Sequence, residues 1–548
     1  MNLKKYILSL PVVLLCAVSL TGCTDWLDTK PKDKQSEELQ FSTKDGFYSA
    51  VNGIYNRMSD GALYGEYLSY SVVDILGQCY AVEKDDQDSY YEYLRALTEW
   101  DYSNETVESA LNAMWNSAYQ TIMNINVVLK NIEKDNLEAG ILPFKEYQTL
   151  KGEMLATRAM LHFDMLRMFG PIYAKNPEGR GVPYNESTET KILDILPAQT
   201  VLNDYILRDL KEAQQLLLES DPVIEFGPRA EYDEVNLDNS QRYRQLRLNY
   251  YAVTLLTARA YLWAGDMTNA LAEARKLTDD AKLREFFPAV DPGKLLGNTV
   301  NPDRMFTTEC LFGLYNKDRG VIYNNVFGGD NTAKRLLIPR SSYVDGQLYS
   351  GEDAADYRFQ SLWENGQTLE ENPSKKLVKF KAIKEMGNNL PSDKVEEDES
   401  TDLKAQTFHG TFCSLMKLSE AYYIAAEALG TPESPVYNEA EAWKYLETIR
   451  ACRGVATVTL PGNPIKFFDL LTKEYIREYI GEGQIFFYFK RLNKGFDNAY
   501  SGRREVVTVT PPPLPFLPPS YDYRDKATDE QKQQRFVAPL PKSELDNR

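Results

Sequence analysis

Histidine is almost missing from this chain, with 2 among 548 residues. His162 sits inside a strong helical pattern and reads as a packed or helix-flank residue; His409 precedes another helix and reads the same way. Imidazole acid–base chemistry and His-rich metal sites therefore have little to build on. Cysteine is nearly as scarce. Of 6, Cys16 and Cys23 fall near the N-terminus, while Cys79, Cys310, Cys413 and Cys452 are far apart with no C-x-x-C pair. That argues against a disulfide framework and leaves zinc without a ligand spacing. Positive charge is also short: 62 Lys and Arg stand against 80 Asp and Glu, a net −18. Phosphate backbones and anionic lipid recruit clustered cations, so neither a nucleic-acid partner nor a basic membrane-binding face is expected. No G-x-S-x-G, H-E-x-x-H or Walker pattern is present, and no motif selects a carboxylate pair for glycoside hydrolysis. The chain reads as one without catalytic residues, cofactor or metal. Its acidic run, Glu396, Glu397, Asp398, Glu399 and Asp402, lacks the spacing of a calcium loop and reads as a solvated surface loop.

What is present begins with a leader. Lys4 and Lys5 precede the apolar run Ile7–Leu20, too short for a comfortable membrane span. It ends in Leu20-Thr21-Gly22-Cys23, which resembles the bacterial lipobox. Residues 1–22 are then a lipoprotein signal peptide, and Cys23 becomes the lipid-attachment site. Two or more acyl chains at ~0.8 kcal/mol per buried CH₂ anchor stably where one does not. Residues 23–43 read as a polar, extended, lipidated tether.

Residues 44–548 read as one body, helical over 44–279 and 411–492, with a loop-rich insert at 280–410 and an extended C-terminal segment at 505–548. Val107, Leu111, Met114, Ala118, Ile122, Ile125 and Leu129 recur every three or four residues, marking one buried helical stripe. Leu150, Met154, Leu161, Met165 and Phe169 do the same, and Gly170-Pro171 stops that helix. Further helices are expected at Gly46–Met58, Leu202–Leu218, Leu248–Trp263 and Asp266–Leu277. The last pair, with Ala264-Gly265-Asp266 between its helices and small residues at Ala270 and Ala274, resembles the helix-turn-helix of a tetratricopeptide repeat. Ser419–Leu429 and Asn438–Cys452 form a second such pair. Within the insert, Cys310–Tyr315 and Lys376–Phe380 are expected as short strands. Pro511-Pro512-Pro513-Leu514-Pro515 reads as extended chain laid over the body.

Several segments together resemble the SusD/RagB family of lipoproteins. They are Cys23-Thr24-Asp25-Trp26-Leu27-Asp28, Lys151-Gly152-Glu153, and the stretch from Arg158-Ala159 to Arg167-Met168-Phe169-Gly170-Pro171. Downstream come Ser419 to Ala428, Ile449-Arg450 with Arg453-Gly454, Glu474, Arg477-Glu478, Glu482-Gly483, Lys490-Arg491, and Pro539 to Asp546. The order of these segments carries the resemblance, since none is specific alone. The chain departs from the family at Tyr475, Ile485 and Tyr488, where Arg, Arg and Asp are common, which questions local packing there. The resemblance implies a mainly α fold: four TPR-like helix pairs forming a right-handed superhelical scaffold, with a loop-rich face carrying few short strands. It implies anchoring by lipid alone at a Bacteroidetes-type outer membrane, facing the cell exterior. It implies capture of a nutrient, usually an oligosaccharide, for a SusC-like TonB-dependent barrel; RagB-like members take peptides. A helical-repeat scaffold binding only protein is the other reading.

The family's matched segments look structural, so physics must nominate the ligand site. Sugars present CH faces to aromatic rings and hydroxyls to Asp and Asn. Tyrosine is plentiful, 36 against 23 Phe and 6 Trp, and combines a flat apolar face with a polar tip. Two stretches concentrate these types outside the expected helices. Cys79–Leu94 offers Tyr80, Asp88, Tyr90 and Tyr91; Tyr315–Asn331 offers Tyr315, Tyr323, Asn324 and Phe327 beside Gly328-Gly329. The alternative is that these side chains cap loop cores or meet the barrel.

Overall fold

The computed structural model describes residues 32–80, 89–228, 240–296, 302–328, 343–369, 372–381, 410–456, 462, 464–495, 505–510, 520–524 and 527–546. The leader, Cys23, Asp88, residues 395–402, His409 and residues 511–515 lie outside them. The chain divides into two compact units, through Ala50 and from Val51 onward.

In the first unit, α1 (Lys32–Gln40) occupies part of the stretch expected to be extended. Its Lys, Glu, Gln and Leu are good helix formers but make no apolar stripe, so propensity rather than periodicity carried the signal. A turn leads from it into α2 (Lys44–Met58), with the Gln40 amide donating to the Gly46 carbonyl at 2.7 Å.

The second unit is mainly α. Helix α3 (Glu105–Lys134) starts where the Asn104 side chain accepts from the Thr106 and Val107 amides. Helix α4 (Phe144–Phe169) ends at Gly170, as the glycine–proline break requires. Then come α5 (Leu207–Ser220), α6 (Tyr250–Ala264) and α7 (Met267–Thr278). Gly265 takes the left-handed conformation (φ 78°) that closes α6, and Asp266 caps α7. Ala270 and Ala274 are fully buried, which lets α7 lie close to its neighbours. Helices α8 (Leu418–Gly430) and α9 (Glu439–Cys452) form a second antiparallel pair, and α7 packs on α8. The helices thus stack successively, as TPR-like pairs do. Helices α10 (Pro464–Tyr479) and α11 (Ile485–Arg491) follow.

Strand content is small. Strand β1 (Cys310–Tyr315) pairs antiparallel with β4 (Phe412–Lys417), and β2 (Trp363–Leu369) with β3 (Asn372–Leu377). The second strand of the insert is therefore displaced from the expected Lys376–Phe380. The 505–548 segment, expected extended, contains an antiparallel hairpin of β5 (Glu505–Thr510) and β6 (Ser520–Arg524) and helix α12 (Asp529–Phe536). Thr528 and Gln531 form a reciprocal capping box there. Among the described residues, the four cysteines form no disulfide, and no helix is long and apolar enough to cross a membrane.

His162 shows how the helices hold irregular chain. Fully buried in α4, its Nδ1 lies 2.9 Å from the Arg158 carbonyl and its Nε2 accepts the Asn185 amide at 2.9 Å. Those partners fix a neutral ring with the proton on Nδ1. The ring stacks on Tyr184 at 3.9 Å. Asn126 on α3 donates to the carbonyls of Asn185 and Ser187, so a strap over residues 183–193 is pinned to α3 and α4. Burial pushes His162 down to about 3 from 6.5. The unfolded chain therefore takes up a proton first as pH falls, and stability present above 6.5 is lost towards 3, at about 1.4 kcal/mol per unit. The wild-type melting temperature should fall more steeply through this window than that of His162→Gln; parallel slopes would refute the assignment.

Candidate functional site

The two nominated stretches do meet, but mostly as core. Tyr80, Tyr323 and Phe327 are 3%, 2% and 2% exposed. Tyr80 lies against Phe327 (ring centroids 5.8 Å), Phe327 against Tyr323 (6.3 Å) and Phe380 (5.7 Å), and Phe380 against Tyr70 (4.5 Å). A ring enclosed this way presents no face to a sugar, so these three residues are corrected from ligand stackers to packing residues. The stretches are also less irregular than expected: Tyr90 and Tyr91 lie in a helix, Ser89–Thr98, and Arg319–Tyr323 is helical with a π-turn at Asn324–Gly328. Tyr315, 54% exposed at the end of β1, and Asn324 remain at the surface.

Tyr80 is held by a buried carboxylate that the sequence reading missed. Asp74 accepts from the Tyr80 hydroxyl and from the backbone amides of Gly481 (2.9 Å) and Gly483 (3.1 Å). Burial pushes Asp74 up to about 7 against those donors, which favour the ionised form. Its signal was available: one acid inside the apolar run Val72-Val73-Asp74-Ile75-Leu76. It ties the entrance of the first stretch to the turn between α10 and α11.

That turn belongs to a buried ion lattice built from the family segments. Glu474 meets Arg358 (2.6 Å), Arg450 (2.7 Å) and Arg477; Glu478 meets Arg358 (3.0 Å), Arg453 (2.9 Å) and Lys417 (3.2 Å). Glu482 meets Lys417 (2.9 Å) and Lys379, while Arg453 also grips Glu309 at 2.7 Å. Asp353 and Asp356 complete the set through Arg450 and Arg358. Four arginines and two lysines thus face six carboxylates, and the insert is bolted to α9 and α10. Burial alone would raise Glu474; Arg358, Arg477 and Arg450 outweigh it and hold the carboxyl well below its ordinary range. These charges are partnered within the fold, so their work is structural. At the departures from the family, Tyr475 stacks on Tyr488 at 4.3 Å, the Tyr488 hydroxyl lies 2.9 Å from that of Thr472, and Ile485 is fully buried.

A stack of helix pairs whose insert is locked by internal ion pairs, with irregular chain at the surface, is a helical-repeat scaffold. The comparisons place it more closely. The family model SusD-like_3, "Starch-binding associating with outer membrane", matches residues 25–232, and SusD_RagB, "SusD family", matches residues 393–548. The chain belongs to the SusD/RagB family. Similar solved structures include a SusD superfamily protein from Bacteroides thetaiotaomicron (20% identity, 92% of this chain and 98% of that one, TM-score 0.60). A SusD-like carbohydrate binding protein from Bacteroides vulgatus has 16% identity over 92% and 96%, TM-score 0.60. A laminarin binding SusD-like protein has 16% identity over 82% and 92%, TM-score 0.51. At these identities the likeness is one of fold. No curated protein matches the chain.

Proposed function

We propose that this protein is a cell-surface lipoprotein, anchored through Cys23, that captures an oligosaccharide and passes it to a SusC-like TonB-dependent barrel in the outer membrane. The observation that carries the reading is the match of residues 25–232 to a family described as starch-binding and associated with the outer membrane. The lipobox-like Leu20-Thr21-Gly22-Cys23 supports the anchor, and carbohydrate binding named for two fold neighbours supports the ligand class. In this reading the ligand meets the loop face, where Tyr315 and Asn324 join Asp88, Tyr90 and Tyr91. It is bound and handed on without bond cleavage.

Isothermal titration against panels of oligosaccharides and peptides tests this. Oligosaccharide binding is expected, weakened about fivefold by Tyr315→Ala through loss of ~1 kcal/mol of stacking. Binding of peptides alone would overturn the glycan assignment, and sustained release of reducing ends would overturn the non-catalytic one.

A further inference from the structure

A concave surface on α3 shares no lining residue with the two loop stretches. The sequence Trp115-Asn116, Tyr119-Gln120, Met123-Asn124 repeats an apolar–amide pair every four residues. On a helix this spacing makes two parallel ridges. One is a floor of Trp115, Tyr119 and Met123; the other is a row of exposed amides, Asn116, Gln120 and Asn124. Three rungs span about 12 Å along the axis. The pinned 183–193 strap walls the opposite side, and the Tyr119 hydroxyl donates to the Pro183 carbonyl at 2.7 Å to fix the gap. Together they enclose a cleft of about 800 Å³, within the range of small-ligand sites.

We propose that this cleft is a second binding site for a neutral oligosaccharide, separate from the loop face. The inference rests on the carbohydrate reading above. Each primary amide both donates and accepts, matching hydroxyls that do the same. Among the described residues, the side chains of Asn116 and Asn124 make no hydrogen bond to protein, and Gln120 only accepts one, at its Oε1 from Arg57 (3.0 Å). Lining charges balance, Arg57 and Lys191 against Glu189 and Glu544, which gives an acidic or basic ligand no net attraction. The half-buried Tyr119 ring supplies the apolar surface that sugar CH groups need, and Trp115, itself only 3% exposed, backs it at 4.6 Å between centroids.

The test is hydrogen–deuterium exchange of the full protein with malto-, laminari-, cello- and manno-oligosaccharides in turn, and with a peptide panel. The variants are Asn116→Ala/Asn124→Ala, which keeps good helix formers on an exposed face, and Tyr315→Ala. The expected result is protection of 115–124 and 183–193 by at least one oligosaccharide. It should survive Tyr315→Ala and need about tenfold more ligand in the double variant. Protection confined to the loop stretches would overturn the cleft while leaving the proposed function standing. Cleft protection unchanged in the double variant, or given by peptides only, would overturn the assignment. No protection and no heat with any oligosaccharide would overturn both readings.

Discussion

Glu474→Gln should destabilise the fold by about 3–5 kcal/mol, the range for breaking one side of a buried ion pair. The side chain keeps its volume, so no cavity contributes. What changes is charge: Arg358, Arg450 and Arg477 all point at this carboxylate, and Glu474, Arg358 and Arg477 are fully buried. An amide can accept at one oxygen but must aim its NH₂ at a guanidinium. The uncompensated positive charge then has Glu478, Asp353 and Asp356 as its remaining counterions. The check is the urea midpoint against wild type, with a double-mutant cycle using Arg450→Gln. Removing that arginine from the Glu474→Gln background should recover part of the loss, because one excess cation leaves with it. An unchanged midpoint in Glu474→Gln would mean that the lattice does not stabilise the fold. Because Glu474 is held below its ordinary range, the contribution is full above 4.5 and is lost only as pH falls through the folded value.

The lattice also shows where reading the sequence stops. Local signals transferred well: the three-to-four residue spacing of α3, the Gly170-Pro171 stop of α4, and the Gly265-Asp266 turn between α6 and α7 depend on near neighbours. Glu474, Arg477 and Glu478 resemble any solvated helix face, because partners that bury them, Arg358 and Asp353, come from more than a hundred residues upstream in the insert. Tyrosine raised the same difficulty. Tyr80 and Tyr315 are chemically identical in sequence; one donates to a buried acid and the other faces solvent. Composition cannot separate them, since a ring with one polar atom suits both places. The amide ridge of α3 was different. Its four-residue repeat is fully legible, but the apolar stripe beside it drew the reading towards the core, and the strap that turns the ridge into a cleft wall lies beyond the next helix.

Gly483→Ala is the second change with a large expected effect, about 3–4 kcal/mol, and it links stability to the loop face. Gly483 has φ 69°, and a Cβ there would lie 2.4 Å from the Leu68 carbonyl oxygen. The left-handed conformation costs an alanine about 1 kcal/mol. The clash is with backbone, so no rotamer relieves it, and overpacking of this kind adds about 1–3 kcal/mol. Moving the Gly483 amide also takes a donor from buried Asp74, whose remaining partners are Gly481 and Tyr80. Gly53→Ala is the matched control. Nothing lies within 4 Å of its Cβ position and the residue is inside α2, so that change should stabilise slightly. Urea melts should therefore move in opposite directions for the two variants. In buffer, where Gly483→Ala is still folded, its oligosaccharide affinity at the loop face should drop while the cleft on α3 is unaffected, because Asp74 and Tyr80 hold the entrance of the 79–94 stretch and, among the described residues, make no hydrogen bond or ring contact with α3. Equal loss at both surfaces would instead mark general unfolding, and no loss at either would show that the Asp74 knot does not position the loop face.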